Sequence, residues 1–385
     1  MSLALHQDQA TDLEALSTAF ATRAAEHDRT ARFPHVNFAA LQAAGLIGLT
    51  VPRAQGGQGE GLTAAIEAIE AVSRGCASTG LVFAMNLTHQ AALARDTAFP
   101  EALRTRVGAD AVRHGALINA LRVEPEMGSP SRGGLPQTTA RRQADGSWRL
   151  SGRKIYSTGA PGLGWMLVWA RDDADEPRVG PVLVPARASG ITVEESWDHL
   201  GMRATASHDV VFEDVRLEDA HLAALRPPAA WRSPDAVGLA WNAAGLGAIY
   251  TGIARAAAAW IATFLRERVP SGLGKPLATL PRMQEKAGGI EALLNGNVRL
   301  LRGLAAEVDA GTPPPASESG LLKTTMIENA AQAVEIAVSL AGNHALSRRN
   351  PLERHWRDVQ CGRAHVPTVD FAHQAAGRDW LEGAA

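Results

Sequence analysis

Apolar residues recur at helical spacing through the first part of the chain. Leu13, Leu16 and Phe20 fall on one face of a helix, and similar runs follow until about residue 113. A glycine-rich segment at 55–61 interrupts these runs and predicts a loop. We therefore expect an N-terminal helical domain at 1–115.

The pattern then changes to short runs of β-forming residues that are separated by turn residues. Asp145-Gly146 is a typical hairpin turn, and the runs at 166–169 and 210–212 are rich in branched and aromatic side chains. Short strands with frequent turns are typical of an antiparallel barrel or sandwich. The sequence predicts a middle β domain of this kind at 116–225.

Helical periodicity returns after a proline-containing connector at 226–230 and continues to the C-terminus. Long helices joined by short turns pack as an antiparallel bundle. A four-helix bundle domain at 226–385 is predicted, which makes the chain an α+β multi-domain protein. The four predicted helices are 236–268, 281–310, 318–346 and 367–382.

Composition and charge narrow the class of protein. The 38 basic and 40 acidic residues nearly balance, so nucleic acid is not an expected partner. Cys76 and Cys361 are too few for a disulfide framework or a metal cluster. The N-terminus has no signal-peptide pattern, and the uncharged stretch 236–254 is interpreted as a buried bundle helix, so we expect a cytoplasmic protein without a membrane span.

Several sequence motifs, in order along the chain, together resemble the acyl-CoA dehydrogenase superfamily. Each short motif alone is weak evidence, whereas the ordered set is specific. The motifs are Gly45-Leu-Ile-Gly-Leu-Thr-Val-Pro52, Val123-Glu-Pro-Glu-Met-Gly-Ser129, Trp148-Arg-Leu-Ser-Gly-Arg-Lys-Ile-Tyr-Ser-Thr158, Leu200-Gly-Met-Arg203 with Val211-Phe-Glu-Asp-Val215, Gly274-Lys-Pro-Leu-Ala278 with Gln284, and Pro351-Leu-Glu-Arg-His-Trp-Arg-Asp358.

The resemblance implies an FAD-binding oxidoreductase, usually a homotetramer or else a dimer, with the flavin ring between the sheet and the bundle. It assigns the strand end Tyr156-Ser157-Thr158 to the flavin ring, with the Thr158 hydroxyl as the main contact. Arg268 corresponds to an arginine that reaches the pyrophosphate across a subunit boundary, although cations at a helix C-terminus are also favoured by the helix dipole. Val123 stands where the family keeps a flavin-binding threonine.

Two further residues are assigned to the ligand by the same resemblance. Ser129 matches a residue near flavin or substrate, and Arg203 lies in a motif assigned to substrate binding. The implied substrate is a small molecule, an acyl thioester in the dehydrogenases. The length and branching of that substrate cannot be derived from the sequence.

The sequence departs from the dehydrogenases at the catalytic base. Removing the weakly acidic α-proton of a thioester requires a carboxylate, and the family places a glutamate where this chain has Val366. A smaller group supplies it from the start of the first bundle helix, where Asp235 is the nearest carboxylate. Asp370 is the other candidate for a substituted base.

Histidines occupy this region instead. His365 resembles a histidine of the flavin-dependent monooxygenases that share the fold, and imidazole suits proton handling because its pKa lies near neutrality. His89 falls in a helix that the family packs toward the substrate cavity. Either residue could also be an ordinary hydrogen-bonded histidine.

Three interpretations follow. The first is an acyl-CoA dehydrogenase-like enzyme that transfers hydride from an acyl thioester to FAD and passes electrons to an electron-transfer flavoprotein. The second is a two-component monooxygenase that uses His365, with FAD or FMN supplied by a flavin reductase. The third is a non-catalytic relative that binds acyl-CoA.

Overall fold

The structure is a computed structural model, and it describes residues 7–126, 135–231 and 235–383, with side chains from residue 12 onward. Three regions follow one another in the order helices, sheet, helices, which confirms the predicted fold class. The predicted boundaries at 115 and 225 fall between elements. The helices at both ends pack together, so the sheet is an insertion between two parts of one helical body.

The N-terminal helices enclose an apolar interior. Helix α3 packs on α1 and on α4, and its residues Ala65, Ile69 and Val72 are almost completely buried. The glycine-rich segment forms a loop before α3, as predicted. The five helices of this region are α1 (Gln7–Thr30), α2 (His35–Ala43), α3 (Leu62–Gly75), α4 (Ala77–Arg95) and α5 (Glu101–His114).

The described part of the middle region forms one seven-stranded sheet with the order β1-β4-β2-β3-β7-β6, and β5 pairs with β4. The sheet is mixed and not wholly antiparallel, because β1 and β2 both run parallel to β4. Neither β1 nor β2 is next to β4 in sequence, so period-2 patterns could not reveal their direction relative to β4. The strands are β1 (Leu117–Leu121), β2 (Thr139–Arg142), β3 (Trp148–Lys154), β4 (Leu163–Asp172), β5 (Val179–Pro185), β6 (Ile191–Glu194) and β7 (Asp209–Leu217).

The C-terminal helices form a bundle around α6, which contacts α7, α8 and α9 and also α3 and α4. The predicted helix 318–346 ends earlier, because Gly342 adopts a positive φ of 57° and the chain turns. A short helix at 352–360 was not predicted. The helices are α6 (Ala236–Glu267), α7 (Pro281–Asp309), α8 (Ala316–Ala341), α9 (Leu352–Gln360) and α10 (Val369–Glu382).

Helix α6 is the one described helix whose length and composition would suit a membrane span, and 56% of its apolar window is buried inside the protein. Its small residues allow close helix packing. At Gly252 a Cβ atom would lie 2.5 Å from the carbonyl oxygen of Glu70 in α3, so only glycine fits there. The contacts of α6 on several sides are those of a core helix, as the sequence predicts.

A partly buried salt bridge and the hydrogen bonds beside it join the three regions at one point. Arg357 of α9 binds both carboxylate oxygens of Asp28 of α1 at 2.9 and 2.6 Å and donates to the carbonyl oxygen of Leu200 at 2.8 Å. The buried carboxylate of Asp358 accepts a hydrogen bond from the amide of Met202 at 2.7 Å. The Arg-Asp pair of the C-terminal motif therefore fixes the helical body against the loop before β7.

Candidate active site

The predicted flavin-binding segment 155–159 lies between the end of β1 and the segment 205–208. Its backbone amides donate to the carbonyls of Val123 at 3.0 Å, of His208 at 3.1 Å and of Thr205 at 2.9 Å. These bonds draw together three segments that are distant in sequence. The predicted contacts Val123 and Thr158 are thus neighbours in the structure, although Val123 offers only its backbone for hydrogen bonding.

The Thr158 hydroxyl lies at the end of a chain of hydroxyl groups. Ser207 donates to Thr158 Oγ1 at 3.1 Å, and Thr205 Oγ1 lies 2.8 Å from Ser207 Oγ. With Ser207 as its donor, Thr158 retains its own proton to donate to a ligand. The carbonyl of Thr158 accepts a hydrogen bond from Asn119 Nδ2 at 2.9 Å, which ties it to β1.

An aromatic cluster, composed of Tyr156, Trp197 and His199, lies beside Thr158. Trp197 and His199 stack with centroids 3.5 Å apart, and Tyr156 meets both edge-on. Tyr156 has a positive φ of 56° and its side chain is 55% exposed, an unfavourable arrangement for a tyrosine without a binding role. Ser157, in contrast, is fully buried, and its Oγ has no hydrogen-bond partner in the structure.

Residue Arg268 ends α6 and is exposed. Its guanidinium makes no hydrogen bond or ion pair with any described residue, so it is available for an anion. An exposed planar aromatic cluster, a free hydroxyl donor and an unpaired arginine are the groups that a flavin nucleotide needs for its ring and its phosphates. The residues present therefore fit a flavin. Ser129 lies outside the described residues.

The guanidinium of Arg203, a residue predicted to bind substrate, forms hydrogen bonds within the protein. Its guanidinium donates to the carbonyls of Asp28 at 3.0 Å and of His199 at 3.0 Å, and to the carboxylate of Asp198 at 3.2 Å. These bonds explain the arginine as part of the contact between the helical body and the loop before β7. The substrate-binding role remains a prediction that the geometry does not support.

The ring of His89 lies at the other side of Asn119, with which it forms a hydrogen bond. Burial and the nearby Arg122 guanidinium lower the pKa of His89 to about 3, so the ring is neutral at physiological pH. Asn119 thereby connects His89 with Thr158. Sequence reasoning missed Asn119, although a lone amide in the apolar run Leu117–Leu121 is a usable signal.

A second cluster surrounds His365. Its Nε2 lies 2.8 Å from the hydroxyl of Tyr250, which is completely buried in α6. Burial, together with the positive charge of Lys323, lowers the pKa of His365 to about 4. Gly362 makes this approach possible, because a Cβ atom there would lie 3.1 Å from the Tyr250 ring.

The hydrogen bond to Tyr250 determines which nitrogen of His365 carries the proton. Burial raises the pKa of Tyr250 well above its usual range, so the phenol keeps its proton. Because the ring of His365 is the only partner of this hydroxyl among the described residues, a satisfied network has Tyr250 donating to Nε2. The proton of the neutral imidazole then resides on Nδ1, which is left to interact with a ligand.

The candidate carboxylates are engaged in helix caps. Asp370 is exposed in the first turn of α10, where its carboxylate accepts a hydrogen bond from Thr368 at 2.5 Å. Asp235 caps α6 and accepts from the amide of Gly238 at 3.0 Å. Val366, at the position of the family's glutamate, is 53% exposed. In 7–126, 135–231 and 235–383, no three His, Cys, Asp or Glu side chains form a metal site.

Comparison with known proteins identifies the family. The N-terminal, middle and C-terminal domain models of acyl-CoA dehydrogenases match residues 9–97, 123–215 and 244–369. The chain is 33% identical over 378 residues to the putative acyl-CoA dehydrogenase YdbM of Bacillus subtilis, covering 97% of each chain. The chain belongs to the acyl-CoA dehydrogenase family. The resemblance described from the motifs is thereby confirmed.

Proteins named for different activities are also similar to this chain. L-evernosamine nitrososynthase of a Micromonospora species is 30% identical over 92% of this chain and 87% of its own. Butyryl-CoA dehydrogenase of Megasphaera elsdenii superposes with a TM-score of 0.86 at 22% identity over 99% and 100% of the two chains. FMN-bound TdsC of Paenibacillus superposes with a TM-score of 0.85 at 23% identity, over 98% of each chain. The family is one of flavin enzymes, with FAD-binding and FMN-binding members.

Proposed function

We propose that this protein is a flavin-dependent monooxygenase that receives reduced flavin from a separate reductase and uses His365 for proton handling. One observation carries the proposal. The dehydrogenase carboxylate is replaced by Val366, and the adjacent His365 is held by Tyr250 as a neutral imidazole with a free Nδ1. This arrangement can donate a hydrogen bond from Nδ1, but it does not supply an anionic base.

The residues of the chain have separate tasks in this proposal. Bound reduced flavin would supply the chemistry that activates molecular oxygen. Tyr156 and Thr158 would hold the flavin ring, and Arg268 would contact a flavin phosphate. In the case of FAD, this arginine would reach the phosphate from a neighbouring subunit of the expected homotetramer. His365 would donate a hydrogen bond from Nδ1 to the reacting oxygen atom and keep Nε2 on Tyr250. His89 and Asn119 would orient the backbone around Thr158.

A histidine with a low pKa is a hydrogen-bond donor and a weak base at pH 7, not a general acid. The imidazolium form would be present only near pH 4 and below, because burial and the charge of Lys323 lower the pKa of His365 to about 4. The proposed mechanism therefore needs no protonated histidine. The substrate is a small molecule that an oxygenating flavin can attack, and the expected location is the cytoplasm.

Acyl-thioester dehydrogenation is the second candidate, because YdbM and the 30% identical bovine short-chain specific acyl-CoA dehydrogenase carry that activity in their names. It requires a carboxylate beside the substrate. Asp370 or Asp235 would have to leave its helix cap to serve. A non-catalytic acyl-CoA-binding role is the third and fits the exposed Tyr156 and unpaired Arg268 least well.

The deciding experiment compares two reactions of the same flavin-loaded protein. Under anaerobic conditions, we expect acyl-CoA thioesters to leave the flavin absorbance unchanged. With oxygen and reduced flavin from a reductase, we expect oxygenated product from a panel of amines, thiophenes and indoles. Bleaching of the flavin by a thioester would contradict the monooxygenase proposal and establish a dehydrogenase with an unusual base.

A further inference from the structure

Lysine 323 is a buried cation in α8. Its side chain is 2% exposed, and its Nζ donates to the carbonyl oxygen of His365 at 2.5 Å and to that of Pro367 at 2.9 Å. These two carbonyls flank Val366. One ammonium group thus holds both sides of the short segment that connects the turn at 361–364 with α10.

Burying an ammonium group is costly, and a nearby carboxylate is the usual compensation. None of the described residues provides one at hydrogen-bonding distance from Lys323. The closest acidic group in the same helix, Glu328, is instead engaged with Arg363 at 2.9 and 2.7 Å. The ammonium group is therefore directed at the backbone of the His365 segment.

The fold uses two attachments for this segment. The exposed ion pair between Arg363 and Glu328 attaches the 361–364 turn to α8. Lys323 attaches the residues that follow, through the carbonyl oxygen of His365. Tyr250 then reaches the His365 ring from α6. Removing Lys323 would leave two buried carbonyls without donors and the ring with only its Tyr250 contact.

We propose that Lys323 is a positioning residue that fixes the backbone of the His365 segment and, through its charge, keeps the imidazole neutral on Tyr250. The proposal rests on the proposed function only for the role of His365 in the reaction. The position and ionisation of His365 can be measured without any reaction.

The charge effect is specific to Lys323. Besides burial, the positive charge of Lys323 is the cause of the lowered pKa of His365, and burial lowers the pKa of Lys323 itself to about 8. The titratable and charged groups that face the His365 segment from the packed elements include Tyr250 of α6, Lys323, Glu328 and Glu335 of α8, Asp358 of α9, Cys361 and Arg363 of the following turn, and Asp370 of α10.

The test is a histidine NMR titration of the full-length protein, with the His365 signal assigned by its loss in His365→Gln. In Lys323→Met, which keeps the length but not the donors, we expect the pKa of His365 to rise by about one unit or more. Lys323→Arg keeps the charge and several donors, and we expect it to restore at least half of that shift. Lys286→Met, an exposed lysine of α7, is the matched control.

An unchanged His365 titration in a folded Lys323→Met protein would overturn the proposal. If that variant does not fold, Lys323→Gln takes its place, because its amide still donates to one carbonyl while the charge is lost. An unchanged pKa in Lys323→Gln would equally overturn the charge effect. Retained oxygenation in His365→Gln would remove the proposed function but leave the titration result standing.

Discussion

The two candidate histidines have similarly lowered pKa values, but different kinds of contact hold them in place. His89 lies inside the regular helix α4 and bonds to Asn119 of the sheet, whereas His365 lies on an irregular segment that depends on Tyr250 and Lys323 from two other helices. The pKa values are lowered to about 3 and about 4, so both rings are neutral at pH 7. A helix positions His89 by local geometry, but only tertiary contacts position His365.

The largest expected effect separates the two histidines in catalysis. His365→Gln should lower the rate of product oxygenation about 10²- to 10³-fold, because the hydrogen bond from Nδ1 to the reacting atom is lost. His89→Gln should lower it about tenfold or less. The measurement is oxygenated product per reduced flavin consumed, with His373→Gln on the exposed face of α10 as control. Equal losses in both variants would refute the division of roles.

Removing the hydrogen-bond partner of each histidine should show which of the two clusters contributes more to the free energy of unfolding. Asn119 is buried and serves both the Thr158 carbonyl and His89, so Asn119→Ala should lower the free energy of unfolding by about 2–3 kcal/mol. Tyr250→Phe keeps the packing and should cost about 1 kcal/mol. Urea denaturation measures both. A larger loss for Tyr250→Phe would show that the bundle cluster is the more important structural element.

Both histidines should make the fold acid-sensitive. A histidine of ordinary pKa in the unfolded chain binds a proton as the pH falls below about 6.5, while the folded ring stays neutral down to about 3 for His89 and about 4 for His365. The unfolded state then binds more protons, so stability falls over this window. From pH 7 to 5, each histidine should remove about 2 kcal/mol.

The acid effect can be assigned by substitution. Denaturation of His89→Gln and of His365→Gln at pH 7 and pH 5 should each show a smaller pH dependence than the parent, by about 2 kcal/mol. The double variant should show the sum, because the two clusters share no hydrogen-bond partner among the described residues. A full pH dependence in either single variant would mean that the folded histidine is already protonated at pH 5.

A further predicted effect concerns packing behind His365. In Gly362→Ala, the new Cβ would lie 2.7 Å from Ile327 Cγ2 and 3.1 Å from Tyr250, which should cost about 1–2 kcal/mol and weaken the Tyr250 contact. Gly303→Ala in α7 is the control, since no atom lies within 4 Å of its Cβ position. The control should be neutral or slightly stabilising. Thermal denaturation compares the two variants.

Sequence patterns were sufficient for the order of the three regions and for most long helices. They failed where an element depends on distant partners. The parallel pairing of β1 and β2 with β4 has no local signal. The short helix at 352–360 was missed although Leu352, His355 and Val359 recur at helical spacing. The contacts of Arg203 with α1 and with its own loop also form only in the folded chain, and its assignment to substrate stays a prediction.

The same division applies to the candidate site. Motif spacing identified Thr158, His89 and His365, and the structure brings Thr158 and His89 together through Asn119. Tyr250 could have been suspected, since it is one of only two tyrosines and lies in an apolar helix. Lys323 is one of four lysines, but nothing near it in sequence indicates its target 42 residues away.

The sequence by itself determined the family, the α+β organisation and the presence of Val366, beside a histidine, where the resemblance leads one to expect a glutamate. These features are encoded in local periodicity and in ordered motifs. The tertiary structure alone decided the neutral state of His365, its hydrogen bond to Tyr250 and the buried contact of Lys323. Burial and the distance between charges set ionisation, and both exist only after distant segments have packed together.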